Sequence, residues 1–118
     1  MDLADAIEIC LAKTGAEETI PFGPEVLVYK VGEKMFATAG LSDDVGRMNL
    51  KCDPERAADL RERHAAILPG YHMNKRHWNT IIFDGSLAPS LVEELIDMSY
   101  HLVVQGLPKK TRDRFQQN

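Results

Sequence analysis

The chain predicts an α+β fold: two layers, with an antiparallel sheet and helices packed on one of its faces. Three observations carry this reading. The apolar pattern is helical at the start, becomes strand-like over 26–51, and returns to a long helical stripe after 87. The links between the strand-like runs are short, which favours antiparallel neighbours. Arg47-Met48-Asn49-Leu50-Lys51 alternates without exception, so Met48 and Leu50 face a core while Arg47, Asn49 and Lys51 face the other way. That row predicts a sheet whose second face is open.

Each element has its own signal. Asp2 can cap a first helix, along which Leu3, Ile7, Cys10 and Leu11 recur at helical spacing until Gly15 stops it. Pro21-Phe22-Gly23-Pro24 is a rigid turn into an extended run. Val26 to Val31 is rich in β-branched and aromatic residues, and Gly32-Glu33 suits a tight hairpin with 34–39 as the return strand. Ser42-Asp43-Asp44 reads as a polar loop. The strand 47–51 follows. Asp53-Pro54-Glu55 then combines an N-cap, a proline at the first helical position and an acid in the first turn. That second helix runs to about His64, with Ala57 and Leu60 inward.

Pro69-Gly70 breaks the chain, and 77–83 reads as a strand closed by Asp84-Gly85. A long helix is expected over 87–105. Its stripe is Leu91, Leu95, Met98 and Leu102, widened by Val92, Ile96 and Val103. Gly106 and Pro108 end it, and 109–116 suits a last short basic helix. The expected order is therefore helix, three strands, helix, strand, long helix, short helix.

At 118 residues the chain suits one domain, 1–118, with 44% hydrophobic and 27% charged residues. No apolar run is long enough to span a bilayer. The N-terminus carries acid where a signal peptide carries base, so a cytoplasmic protein without membrane partners is expected. Cys10 and Cys52 lack a Cys-x-x-Cys partner and read as reduced structural thiols. The position of Cys52 just before a helix favours its thiolate. The net charge of −4 argues against a large non-specific nucleic-acid interface. The charge is uneven: residues 1–68 hold 13 acids and 8 bases, residues 69–118 hold 5 acids and 6 bases.

The densest chemistry lies at 69–80, Pro-Gly-Tyr-His-Met-Asn-Lys-Arg-His-Trp-Asn-Thr. It joins adjacent Lys75 and Arg76 to Tyr71, His72, His77, Asn74, Asn79 and the single tryptophan, Trp78. Such groups stack on rings and pair with anions. Trp78 is also well explained by burial. No glycine-rich phosphate loop, nucleophile elbow or metalloprotease motif occurs, and no nucleophile–base pair is readable from the spacing. An enzyme is therefore not expected. His72 and His77 lack further ligands at a metal-binding spacing, so neither metal nor cofactor is implied.

Four blocks of the chain carry a resemblance: Pro21 to Gly32, Lys34-Met35-Phe36-Ala37, Asn49 to Pro54, and Pro69 to Asn79. In content and order they resemble the MmcQ/YjbR family, whose members are labelled bacterial DNA-binding proteins of double-wing type. The resemblance implies a frataxin-like (CyaY-like) α+β architecture. It also singles out Lys51, Tyr71, His72, Asn74, Lys75, Arg76, His77, Trp78 and Asn79. It does not imply the iron chemistry of frataxin, because the first helix holds only Asp2, Asp5 and Glu8 as acids.

Two functional readings follow. In the first, Arg47, Lys51, Lys75 and Arg76 pair with phosphates of DNA. Tyr71, His77 or Trp78 stack on bases, Asn74 and Asn79 read base edges, and the basic tail Lys109, Lys110, Arg112 and Arg114 clamps the backbone. Such contact would be weak and salt-dependent. In the alternative, the same cluster lines a pocket for a small anionic ligand or meets a protein partner. The oligomeric state is expected to be a monomer or a weak homodimer.

Overall fold

A computed structural model describes residues 1–42 and 44–115. In chain order the elements are α1 (Leu3–Leu11), β1 (Glu17–Thr19), β2 (Val26–Val31), β3 (Lys34–Gly40) and β4 (Arg47–Lys51), then α2 (Pro54–Arg63), β5 (Ile67–Pro69), β6 (Trp78–Ile82), α3 (Pro89–Gln105) and α4 (Lys109–Arg112). The architecture is the two-layer α+β arrangement expected. It adds two strands that the sequence pattern does not reveal, β1 and β5, both three residues long. Asp43 and Gln116, which fall in the expected polar loop and last helix, lie outside the described residues.

The local signals act as their chemistry requires. Asp2 and Asp5 form a reciprocal capping box on α1: each carboxylate accepts from the other's backbone N–H, at 2.9 and 3.1 Å. Asp53 accepts from the Arg56 N–H at the start of α2. At the β2–β3 hairpin both turn residues are left-handed, Gly32 at φ 56° and Glu33 at φ 68°. Two positive angles define the mirror-image type I turn, whose twist matches that of paired strands. Glycine adopts this conformation without strain, whereas Glu33 does not.

All neighbouring strands pair antiparallel, in the order β1-β2-β3-β4-β6-β5. The chain leaves β4, crosses through α2 to the far edge at β5, and returns with β6 into the gap. β4 and β5 are consequently parallel to one another and separated by the strand that follows both.

One buried cluster joins sheet and helices. It includes Tyr29, Phe36, Met48, Leu50 and Ile81 from the strands, Ala57 and Leu60 from α2, and Val92, Ile96, Tyr100 and Val104 from α3. α3 crosses β2, β3 and β4, α1 packs on α3, and α2 covers β5 and β6. Ion pairs join Lys13 to Asp97 and Arg56 to Glu94, tying α3 to the end of α1 and to α2.

The apolar stripe of α3 is turned relative to the expected one. Its buried residues are Val92, Leu95, Ile96, Ser99, Tyr100, Val103 and Val104, while Leu91, Met98 and Leu102 lie half-buried at its flanks. The reason is Ser99. Its hydroxyl donates to the Phe36 carbonyl at 2.5 Å and accepts from the Lys51 N–H at 2.8 Å. These are backbone groups just beyond the last β3–β4 register pair, Ala37 with Leu50. A serine at the centre of the stripe supplies the hydrogen bonds that the ladder no longer provides.

Candidate functional site

The sheet face opposite the helices forms the floor of a cleft. One row crosses it from Val28 through Thr38, Asn49 and Thr80 to Leu68, and the next holds Val26, Gly40, Arg47 and Ile82. Phe22, from the turn before β2, and Tyr71, His72 and Met73, from the loop before β6, also line the cleft. The open cleft has a volume of about 920 Å³, and Met35 and Ser42 also line it. Phe22 is 73% exposed and Tyr71 60% exposed, unusual values for such large rings.

The Tyr71 wall is pinned from below. The Tyr71 N–H donates to Thr80 Oγ1 at 2.9 Å, and Thr80 Oγ1 donates to Asn49 Oδ1 at 2.5 Å. Asn49 Nδ2 closes the ring by donating to the Tyr71 carbonyl at 3.2 Å. Two floor side chains thus hold both polar groups of one peptide residue.

A turn rests on this ring. The Met73 N–H donates to the Gly70 carbonyl, and His72 is left-handed at φ 59°. Tyr71 is not left-handed, so this is a type II turn, which requires a positive φ at its third position. Lys75 Nζ also donates to the Gly70 carbonyl, at 2.9 Å. A Cβ on Gly70 would lie 2.8 Å from Trp78 Cβ and 2.9 Å from the Trp78 carbonyl oxygen, so the Pro69-Gly70 break reflects close approach to β6. The rings of Tyr71 and His72 lie 3.9 Å apart, tilted by 47°.

The residues singled out from the sequence therefore separate. Arg47, Tyr71 and His72 line the cleft. Lys51 and Trp78 face one another in register at its end without lining it, and Trp78 is only 9% exposed. Asn79 points to the other face. Its Oδ1 accepts from Arg61 at 2.8 Å and its Nδ2 donates to the Ala57 carbonyl, so this 3% exposed amide fastens β6 to α2. Asn74 accepts from the Arg76 N–H within the loop, and the Arg76 side chain is exposed. His77 holds its place through its backbone, accepting from the Cys52 N–H at 2.8 Å. Lys109 and Lys110 open α4, where Thr111 and Leu107 approach Gly32 at the β2–β3 turn, and neither lysine reaches the cleft.

Sequence reasoning passes over Phe22, Met35, Thr38, Met73 and Thr80 as cleft residues. A signal exists for two of them: Thr38 and Thr80 share a register row with Asn49, the central amide of the alternating 47–51 strand. Among the described residues no group of three His, Cys, Asp or Glu could hold a metal ion. Both cysteines are free and buried. Burial pushes the Cys10 thiol up to about 12 and raises that of Cys52 as well. At Cys52 desolvation outweighs the pull of the α2 N-terminus. No helix among the described residues is long and apolar enough to cross a membrane.

Fold and cleft together define a class: small α+β proteins with helices on one sheet face and a loop-walled cleft on the other. The YjbR family model matches residues 11–102, and the chain belongs to that family. It is 35% identical over 112 residues to "Uncharacterized protein YjbR" of Escherichia coli K12, covering 95% of each chain. It is 39% identical over 94 residues to "Uncharacterized protein YbdF" of Escherichia coli O157:H7, covering 80% of this chain and 77% of that one. Among solved structures, a Deinococcus radiodurans protein assigned to domain family DUF419 superposes with a TM-score of 0.89 at 39% identity, covering 97% of this chain and 87% of that one. A Pseudomonas syringae protein superposes with a TM-score of 0.75 at 28% identity, over 86% and 98%.

Proposed function

We propose that this protein is a non-catalytic binding module whose open-face cleft holds a small anionic molecule. The observation that carries this reading is concavity. The exposed rings and Arg47 border one hollow of ligand size, since pockets for small molecules run about 300–1,000 Å³. Arg47 brings a guanidinium to this lining, a group whose forked donors suit a carboxylate or phosphate.

A second reading, weak contact with DNA, is favoured by a separate observation. The 70–77 loop carries three exposed residues, Tyr71, Lys75 and Arg76, the Lys75 ammonium resting on the Gly70 carbonyl. Bases stack on such rings and phosphates pair with such cations. The net charge of −4 keeps any such contact local.

Amide chemical-shift mapping separates the two. Titration with small carboxylates and phosphates should move Thr38, Arg47, Tyr71 and His72, and Arg47→Ala should abolish the response. Titration with short single-stranded and duplex DNA would instead move 74–77, weaken steeply with salt and vanish in Lys75→Ala/Arg76→Ala. Small anions that leave the cleft amides unmoved would rule out the first reading.

A further inference from the structure

We infer that the guest of the cleft is an amphiphilic acid whose affinity is set by the length of its apolar body. The inference rests on the cleft being a site for a small anion and concerns the rest of that molecule. Five side chains bring apolar surface to the lining: Phe22, Val26, Met35, Tyr71 and Met73. Phe22 is 73% exposed and Tyr71 60%, so much of that surface meets water. Covering it is favourable in proportion to the area removed from water, whatever the shape of the covering group.

The polar floor has little left to offer a guest. Thr80 is 1% exposed and Thr38 8%. The Thr80 hydroxyl donates to Asn49 Oδ1 and accepts from the Tyr71 N–H, while Asn49 Nδ2 donates to the Tyr71 carbonyl. These groups bond the protein to itself. Ser42 and His72 line the cleft as exposed residues, where bonds to a guest replace bonds to water at little net gain. A guest rich in hydroxyls would strand polar groups against the apolar lining, and a hydrocarbon body strands none. Met35 and Met73 are unbranched thioethers that adapt to irregular surfaces, so the lining measures a guest's apolar area more than its outline. At about 920 Å³ the cleft has room for a body far larger than that of acetate.

The test titrates the full chain with acetate, butanoate, hexanoate, octanoate and decanoate, each below its micelle concentration, and with glucose 6-phosphate as a polar anion. Amide shifts and calorimetry are the readouts. From butanoate upward, each added methylene should tighten binding about two- to fourfold, the range for partly to fully buried methylenes. The heat-capacity change of binding should grow more negative along the series. Phe22→Ala, at a side chain exposed enough to leave Tm unchanged, should flatten the gain for the longer acids. Equal affinity from acetate to decanoate would overturn the inference and leave the small-anion reading standing. Glucose 6-phosphate moving the cleft amides where decanoate does not would do the same. Chain-length dependence with shifts spread over the whole fold, as a detergent gives, would also overturn it. If no anion moves the cleft amides, both fall.

Discussion

At the scale of single residues, the ring of hydrogen bonds among Asn49, Thr80 and Tyr71 couples the sheet to the cleft wall. Asn49→Ala strips the Tyr71 carbonyl and the Thr80 hydroxyl of a partner each. It should lower stability by about 1–3 kcal/mol in urea unfolding, the usual penalty for unsatisfied groups in a half-buried network. Thr80→Val should do much the same. Because both side chains serve one network, the double variant should lose clearly less than the sum of the two. His72 shows the opposite trade. A glycine there would relieve the left-handed backbone at φ 59° while removing a ring from the wall. His72→Gly should therefore unfold at an equal or higher temperature than the parent yet bind small anions in the cleft more weakly. Weakened binding without weakened folding would mark His72 as a residue kept for its ring.

At the scale of elements, Ser99 fastens α3 to the sheet. Ser99→Ala leaves the buried Phe36 carbonyl and the half-buried Lys51 N–H without this partner. A loss of about 1–3 kcal/mol in chemical denaturation is expected, larger than an exposed serine would give. Glu33→Asn or Glu33→Gly at the β2–β3 turn should act in the other direction, raising stability by about 0.5–1 kcal/mol. These two positions also show why the sequence was only partly legible. The amphipathic stripe of α3 was readable, but its exact centre was not, because a buried serine reads as a polar interruption. Strands that face the core, such as Arg47–Lys51, announced themselves by alternation. Edge strands did not. Glu17-Glu18-Thr19 has no apolar row, and Ile67-Leu68-Pro69 ends in a residue that weakens any strand reading. Each is set by the neighbour it pairs with. The cleft was legible to the same extent: Arg47, Tyr71 and His72 carry recognisable chemistry. Thr38 and Thr80 join them only through register, and Phe22 only through the path of a turn.

At the scale of the molecule, the buried thiol of Cys10 links stability to pH. Its pKa rises from 9.0 in the unfolded chain to about 12 in the folded one. Below 9 both states hold the proton, and the thiol adds no pH dependence. Above 9 the unfolded chain releases the proton while the folded one keeps it, so stability falls as pH rises toward about 12. Urea unfolding should accordingly weaken over that alkaline range, and Cys10→Ala should flatten that part of the dependence whatever its stability at neutral pH. Neither thiol should react with a thiol reagent at pH 8 until the chain unfolds, since both are buried and burial raises both.

The insertion of β6 between β4 and β5 has a consequence for when binding becomes possible during synthesis. Up to about residue 77 a growing chain can pair β1 to β4 and can form α2, but its sheet has a gap where β6 belongs. Thr80 has not arrived, so the Tyr71 wall has nothing to stand on, and the floor stops at Asn49. The last strand supplies half of the pinning ring and closes the sheet in a single step. A ligand in the cleft would thus recognise only chains that have completed their sheet, and by mass action it would draw the folding equilibrium toward them. Ligand capture would follow the closing of the sheet, with α3 docked on the other face.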